Sequence, residues 1–251
     1  MDKEIYEQIV KKKEFSQLPR KDVELAFSHF ADSEYEEDKV KLTRDLLMKV
    51  FSAFASRKLF NAKNKNKEWI LKKHVSTRER FDFYEKIYKR ILKECDAVSV
   101  IDLGAGVNGF SYDYFKKKVN YVGVEAIGQL VELVNFYFKE KKICGKVFHF
   151  SLFDLSKVKN LIKKQRGKKV VFLFKTLDSL EMIERDYSKK LLKEIVPLVD
   201  KVVVSFATQS LVSRKKFKVQ RNWIVNFIKE NFEVLDEFEV GGERYISFCK
   251  R

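Results

Sequence analysis

Four residues in one short run, Asp102, Gly104, Gly106 and Gly109, have the types and spacing to hold a nucleoside-containing ligand. They lie in Val98-Ser-Val-Ile-Asp-Leu-Gly-Ala-Gly-Val-Asn-Gly109, where a β-branched apolar run, the composition of a buried parallel strand, leads into a glycine-rich turn. The glycines spell G-x-G-x-x-G, so a dinucleotide site and an S-adenosylmethionine (SAM) site must be weighed against each other. Asp102 separates them. A dinucleotide turn is left to the pyrophosphate, whereas SAM presents a cationic amino-acid end that a carboxylate two residues before the first glycine can hold. SAM is therefore the expected cofactor, S-adenosylhomocysteine the product, and Gly104, Ala105 and Gly106 the cradle. The bland alternative is a glycine-rich turn without a ligand.

Positioning such a turn requires a sheet, and from residue 95 the pattern becomes one of alternating strands and helices. Tyr121-Val-Gly-Val-Glu125 reads as a second strand. It ends in an acid about twenty residues past the turn, where nucleoside-binding sheets hold the ribose hydroxyls, so Glu125 is the expected ribose ligand, with Ala126 beside it. Val147 to Asp154 gives a third strand and its loop. There Asp154, next to Leu155, either accepts from the adenine amine or caps a helix. Val170 to Asp178 gives a fourth strand with Lys175 at its carboxyl end, in the crevice where such sheets bind ligands. Lys201 to Ser210 gives a fifth with a polar tail. A helix near Asn222–Asn231 and two strands joined by Gly241-Gly242 close the chain. The predicted fold class is α/β: a Rossmann-like, mostly parallel sheet with a terminal antiparallel hairpin, as in class I methyltransferases, behind an N-terminal helical domain. The expected division is 1–94 and 95–251.

Residues 1 to 94 carry apolar positions at helical spacing, with Pro19 as a break and the acidic Asp32–Asp38 segment opening a third helix. Arg57 to Lys73 is the densest basic stretch. Lys63, Lys65, Lys67, Lys72 and Lys73 are the expected nucleic-acid contacts, with Phe60 and Trp69 interleaved either for stacking or to pack inward. In His74-Val-Ser-Thr-Arg-Glu-Arg80, Ser76 and Glu79 fit a capping box, predicting one helix from Ser76 through Ile91. Arg78 and Arg80 would then lie in its first turn, where the dipole disfavours cations, so they require an anionic partner: a cofactor carboxylate, Glu79 or another loop.

The formal net charge of +16 over 251 residues points to a polyanion, nucleic acid first, with a merely solubilising lysine content as the alternative. Three widely spaced cysteines, with no C-x-x-C pair, suggest neither a disulfide framework nor a metal site. Neither a run of ~18 apolar residues nor a leader-like apolar core is evident, so a cytoplasmic protein without a membrane partner is expected.

Taken together, His74-Val-Ser-Thr-Arg-Glu-Arg80, Asp102-Leu-Gly-Ala-Gly-Val-Asn108, Lys175-Thr-Leu with Leu180-Glu181, and Ser205-Phe-Ala-Thr-Gln-Ser-Leu211 followed by Arg214 resemble, in order and spacing across about 74 to 218, the 16S ribosomal RNA guanine-N7 methyltransferases of the aminoglycoside-resistance Arm/FmrO type. The resemblance implies an N-terminal module that docks on the small ribosomal subunit and a catalytic domain that methylates a guanine in the decoding region. It places Arg80 on the SAM carboxylate, Gly104 along the methionine part, Glu125 on the ribose and Asp154 on the adenine; His74 either orients the arginine turn or is a core or surface residue. By the same resemblance Lys175, Thr208 and Gln209 would face the methyl group and target base, and Arg214, Lys215 and Lys216 of the basic loop are expected to meet RNA. A monomer is expected. Three departures stand out: Gly109 and Asp178 where the family has proline, and Val212-Ser213 where it has a glycine pair. Guanine N7 bears a lone pair and no proton, so transfer needs alignment rather than a general base. The alternatives are a same-fold enzyme acting on another rRNA atom, such as adenine N1, and a ribosome-binding or assembly protein with little turnover.

Overall fold

The computed structural model describes residues 1–52, 57–93, 98–208 and 221–251. Its centre is a seven-stranded sheet made of β1 (Val98–Leu103), β2 (Asn120–Glu125), β3 (Gly145–His149), β4 (Lys168–Phe174), β5 (Lys201–Ala207), β6 (Glu233–Val240) and β7 (Glu243–Cys249), in the order β3-β2-β1-β4-β5-β7-β6. The first five strands are parallel, and β7 runs antiparallel between β5 and β6. The strand order reverses between β1 and β4, which opens a crevice at their carboxyl ends.

Alternation along the strands decides what covers each face. Val98, Val100, Tyr121, Val170, Phe172 and Tyr245 point into one core, Ile101, Leu103, Val122, Val171, Leu173 and Ile246 into the other. The second core is closed by α8 (Leu155–Lys163), α9 (Leu177–Ile183), α10 (Tyr187–Ile195) and α11 (Asn222–Asn231). The first is closed by α7 (Gly128–Glu140) together with N-terminal helices: α1 (Lys3–Val10), α2 (Arg20–Ser28), α3 (Glu36–Leu47), α4 (Lys67–Lys73), α5 (Val75–Arg80) and α6 (Tyr84–Ile91). Tyr88 of α6 stacks on Phe115 and on Phe172 of β4, with ring centroids 4.1 and 6.0 Å apart. The N-terminal helices thus share a core with the sheet.

Pro19 is the N-cap of α2, and Glu36, Glu37 and Asp38 fill the first turn of α3, as the sequence predicts. The single helix predicted from Ser76 to Ile91 is instead two, joined by a 3-10 turn at Phe81–Phe83. The capping box does not form, because both of its members are used elsewhere: Ser76 Oγ accepts from Arg80, and Glu79 pairs with Lys175. Arg80 therefore closes α5 at its last turn, the end where the dipole favours a cation. Gly109, where proline was expected, is also explained. A Cβ there would meet Val134 Cγ1 at 2.5 Å and Phe138 Cζ at 2.8 Å, so α7 packs into the space a side chain would need.

Candidate cofactor and substrate site

The crevice holds a cavity of about 840 Å³ when the solvent in its open mouth is included. Its floor is the turn after β1. Gly104 and Gly106 have φ of +81° and +51°, and a Cβ on them would lie 2.7 Å from Thr176 Oγ1 and 2.9 Å from His74 Nε2. Glycine is required at both places twice over: by backbone conformation and by the side chains that lean against the turn. The amides of Gly104 and Ala105 both donate to the Val124 carbonyl, at 2.9 and 3.0 Å, and tie the turn to β2.

Asp102, 1% exposed, accepts from Tyr121 Oη at 2.6 Å and Asn108 Nδ2 at 2.7 Å. Burial raises its pKa, against the pull of these two hydrogen bonds and of Arg80. Asn108 Oδ1 in turn accepts from Tyr84 Oη at 2.8 Å and Arg80 Nη1 at 3.2 Å. Arg80, 3% exposed, also reaches Glu243 Oε2 at 3.2 Å. Burial works against its charge, but Glu243 more than restores it, so the guanidinium stays ionised. Glu243 further accepts from Ser205 and forms an ion pair with Lys175, 3.4 Å away, and Lys175 pairs with Glu79 as well. The anionic partner of Arg80 comes from β7, and burial rather than a place in a first helical turn is what calls for it.

Lys175 follows β4 in a left-handed conformation, φ +58°, with its amide donating to the Ser205 carbonyl at 3.1 Å. His74 is buried beside it. Burial, Arg80 and Lys175 together push its imidazole down to about 3, so it is neutral at physiological pH. Glu125 ends β2 and accepts from the amides of Gly106 and Ile127, each at 2.8 Å; burial raises its pKa and these amides oppose the rise.

Of the residues expected to hold the cofactor, His74, Arg80, Asp102, Gly104, Ala105, Gly106, Glu125, Ala126 and Lys175 line the cavity. Asp154 and Leu155 do not. Asp154 Oδ1 accepts from the Lys157 amide at 3.3 Å and Oδ2 pairs with Lys157 Nζ at 2.8 Å, so it serves as the N-cap of α8, while Leu155 packs on the second core. Thr208 also lies off the cavity lining, its hydroxyl donating to Glu239 at 2.8 Å. Gln209, Arg214, Lys215 and Lys216 fall outside the described residues, as do Val212 and Ser213. Asp178, the other replaced proline, pairs with Arg221 at 2.7 Å, where the described chain resumes.

Lys63, Lys65, Lys72 and Lys73 are exposed, and Lys67 is bound to Asp113 at 2.6 Å. Trp69 packs against the core, with Lys65 and Lys73 5.8 and 5.6 Å from its ring centre; Phe60 packs inward too. Among the described residues no helix is long and apolar enough to cross a membrane, and no group of His, Cys, Asp or Glu is placed to hold a metal ion.

Sequence reasoning assigned no role to Glu243, Asn108, Tyr121, Thr176 or Asp22, all of which build or line this site. Glu243 left one trace, an acid at the start of an apolar strand. Asp22 left another, sitting four residues before the buried Ala26 on the inward stripe of α2.

A family model described as ribosomal RNA methyltransferase (FmrO) matches residues 60–236, more than half of the chain. The chain belongs to this family. Structures of similar fold include the 16S rRNA methyltransferase RmtF in complex with S-adenosyl-L-homocysteine (TM-score 0.82, 19% identity, 100% of both chains covered). The 16S rRNA methylase RmtB (0.78, 19%, 99% of this chain and 98% of that one) and an rRNA methylase from Escherichia coli (0.78, 19%, 99% of both) share it as well. No curated protein sequence matches the chain. As a member of the FmrO family the protein is an rRNA methyltransferase with a class I sheet.

Proposed function

We propose that this protein transfers a methyl group from SAM to N7 of a guanine in the decoding region of 16S rRNA, on the small ribosomal subunit. The observation that carries the reading is the fit of one cavity to one cofactor: two glycines that must be glycine, Asp102 and Glu125 at the ends of β1 and β2, and the Arg80 guanidinium. Arg80 would meet the carboxylate of the methionine part, Asp102 its amine, and Glu125 the ribose hydroxyls. When bound, SAM supplies an electrophilic methyl group on a sulfonium.

The chain's own task is then alignment. Lys175 is held by Glu79 and Glu243, and the His74 imidazole, pushed down to about 3 by burial and the cations beside it, is a weak base. An acceptor that needs no deprotonation suits such a site, and guanine N7 is one. The enzyme must take the base out of its stack and bring the nucleophile to about 3–3.5 Å from the methyl carbon. Lys175 and Thr176, which line the cavity at the carboxyl end of β4, would border it. Residues 1–94 supply the docking surface through Lys63, Lys65, Lys72 and Lys73, whose exposure lets them meet phosphate. The structural similarity to methyltransferases of 16S rRNA supports the choice of substrate.

Incubating the protein with SAM and small subunits, then cleaving the rRNA by borohydride reduction and aniline treatment, tests the proposal. Strand scission at a single decoding-region guanine is expected. A reverse-transcription stop at an adenine without scission would place the methyl on adenine N1 instead. Binding of the subunit without any methyl transfer would make the protein an assembly factor.

A further inference from the structure

Asp22 is the one acid of α2 that lines the cavity, and the family motifs do not account for it. It is 2% exposed, and its Oδ2 has no hydrogen-bond partner. A buried acceptor left open is costly unless something fills it. Burial pushes its carboxyl up to about 7, against the Ser151 hydroxyl, with Glu125 adding to the rise and Lys21 opposing it. Asp22 therefore stands at the Glu125 end of the cavity, the nucleoside end, together with Ala126, Ile127, Leu152 and Phe153.

The position is fixed from both sides. Lys21 Nζ donates to the Phe153 carbonyl at 2.7 Å, His29 Nε2 donates to the Ile183 carbonyl at 2.6 Å, and so α2 is laid from the loop after β3 to the end of α9. Just before it, Gln17 is packed against Gly128 at the start of α7 and accepts through its carbonyl from His149 Nε2 at 2.7 Å. The helix closes the nucleoside end of the crevice and presents one acid inward. Meanwhile Asp154, the side chain expected on the adenine, is committed to capping α8.

We infer that Asp22, from the N-terminal helical segment, accepts the hydrogen bond of the adenine exocyclic amine and is the residue by which this protein recognises the base of its cofactor. The inference rests on the SAM reading of the cavity. An exocyclic amine has only donors to offer, and Asp22 Oδ2 is an acceptor with nothing to accept. The N-terminal segment would then be part of the cofactor site as well as a docking surface.

The test is calorimetric binding of S-adenosylhomocysteine and of its analogue in which hydrogen replaces the 6-amine, to the full-length protein and to the Asp22→Leu, Asp22→Asn and Asp154→Ala variants. The wild type should bind the analogue at least tenfold more weakly than S-adenosylhomocysteine. Asp22→Leu should bind the two alike, Asp22→Asn should keep the preference through its amide oxygen, and Asp154→Ala should keep it in full. Preference retained in Asp22→Leu, or lost in Asp154→Ala, would overturn the inference while leaving the SAM reading intact. Failure of the wild type to bind S-adenosylhomocysteine would overturn that reading first. Unfolding midpoints of the unliganded variants separate loss of recognition from loss of fold: if Asp22→Leu is unfolded, Asp22→Asn and the analogue's deficit on wild type decide.

Discussion

At the Arg80 end of the cavity, the carboxylates of Asp102 and Glu243 are already met by a tyrosine, an asparagine, a serine, an arginine and a lysine; at the Asp22 end, a buried carboxylate oxygen has no partner. The first region is a closed network running from Tyr121 through Asp102, Asn108, Arg80 and Glu243 to Lys175. Its geometry is set before any ligand arrives, so little reorganisation is left for binding to offset. The second is held in place by its helix but left chemically incomplete. On the proposed reading the two ends divide the labour: the network would orient the group that reacts, and the open acceptor would check the identity of the group that does not.

The network is broken most directly at Glu243. Glu243→Ala would leave Arg80 without its carboxylate and Lys175 with Glu79 only, and uncompensated buried charge costs about 3–5 kcal/mol. Urea denaturation should show a loss of that size; a loss within ~0.5 kcal/mol, as for an ordinary surface change, would mean that the charges are solvated rather than coupled.

At the other end the signature is a pH slope. The folded protein holds a proton on Asp22 up to about 7, whereas the unfolded chain releases it near 3.8, so between these values the folded state binds more protons and stability falls as pH rises. Asp22→Asn should abolish that fall and gain stability relative to wild type across the window, by up to about 1.4 kcal/mol for each pH unit crossed. Ser151, Glu125, Lys21 and Tyr187 are present in both proteins, so only their coupling to the Asp22 charge remains in the difference. Parallel pH profiles of the urea midpoint would show that Asp22 is not held as the structure has it.

How much of this was legible in the sequence follows the range of the forces involved. The succession of strands and helices, the glycine turn and the acids at the ends of β1 and β2 rest on local pattern, and Asp102, Gly104, Gly106 and Glu125 lie on those elements in the structure. The capping box was misread because Ser76 and Glu79 satisfy a local rule while Arg80 and Lys175, buried 4 and 96 residues away in sequence, compete for the same atoms. A charged group taken out of water outweighs a cap worth about 1 kcal/mol. Glu243, 163 residues from Arg80, gave only the faint signal of an acid in an apolar strand. Asp154 was open between two local roles, and the helix that follows it took the cap.

Cofactor affinity probes the closed network more gently than deletion of Glu243. Asp102→Ala or Arg80→Ala removes charge-assisted hydrogen bonds worth about 1.5–3 kcal/mol each, so S-adenosylhomocysteine should bind more than tenfold more weakly to either. Since Arg80 is buried against Glu243, Arg80→Ala should also lower the melting temperature of the free protein, which a surface arginine would not do. Arg80→Lys should restore charge but not the planar fork, and rescue only part of the ligand-induced thermal shift. A shift in Arg80→Ala equal to that of wild type would remove Arg80 from the cofactor site.

The smallest effect, and the one that leaves both ends of the cavity untouched, concerns the basic surface. Lys63, Lys65, Lys72 and Lys73 are exposed, whereas Lys67 is neutralised by Asp113. If the first four meet phosphate, each one replaced by glutamine should lower the slope of log affinity for the small subunit against log salt by about 0.7–0.9, because one fewer counterion is released. Lys67→Gln should change it less, since that charge is already paired. None of the five should alter S-adenosylhomocysteine affinity, because none lines the cavity. A salt slope unchanged in the fourfold variant would leave the net charge of +16 as solubility alone and return the docking surface to residues beyond Arg57–Lys73. An equal loss for Lys67→Gln would instead mean that the Asp113 pair opens on the ribosome, so that this segment docks by exchanging a carboxylate for a phosphate.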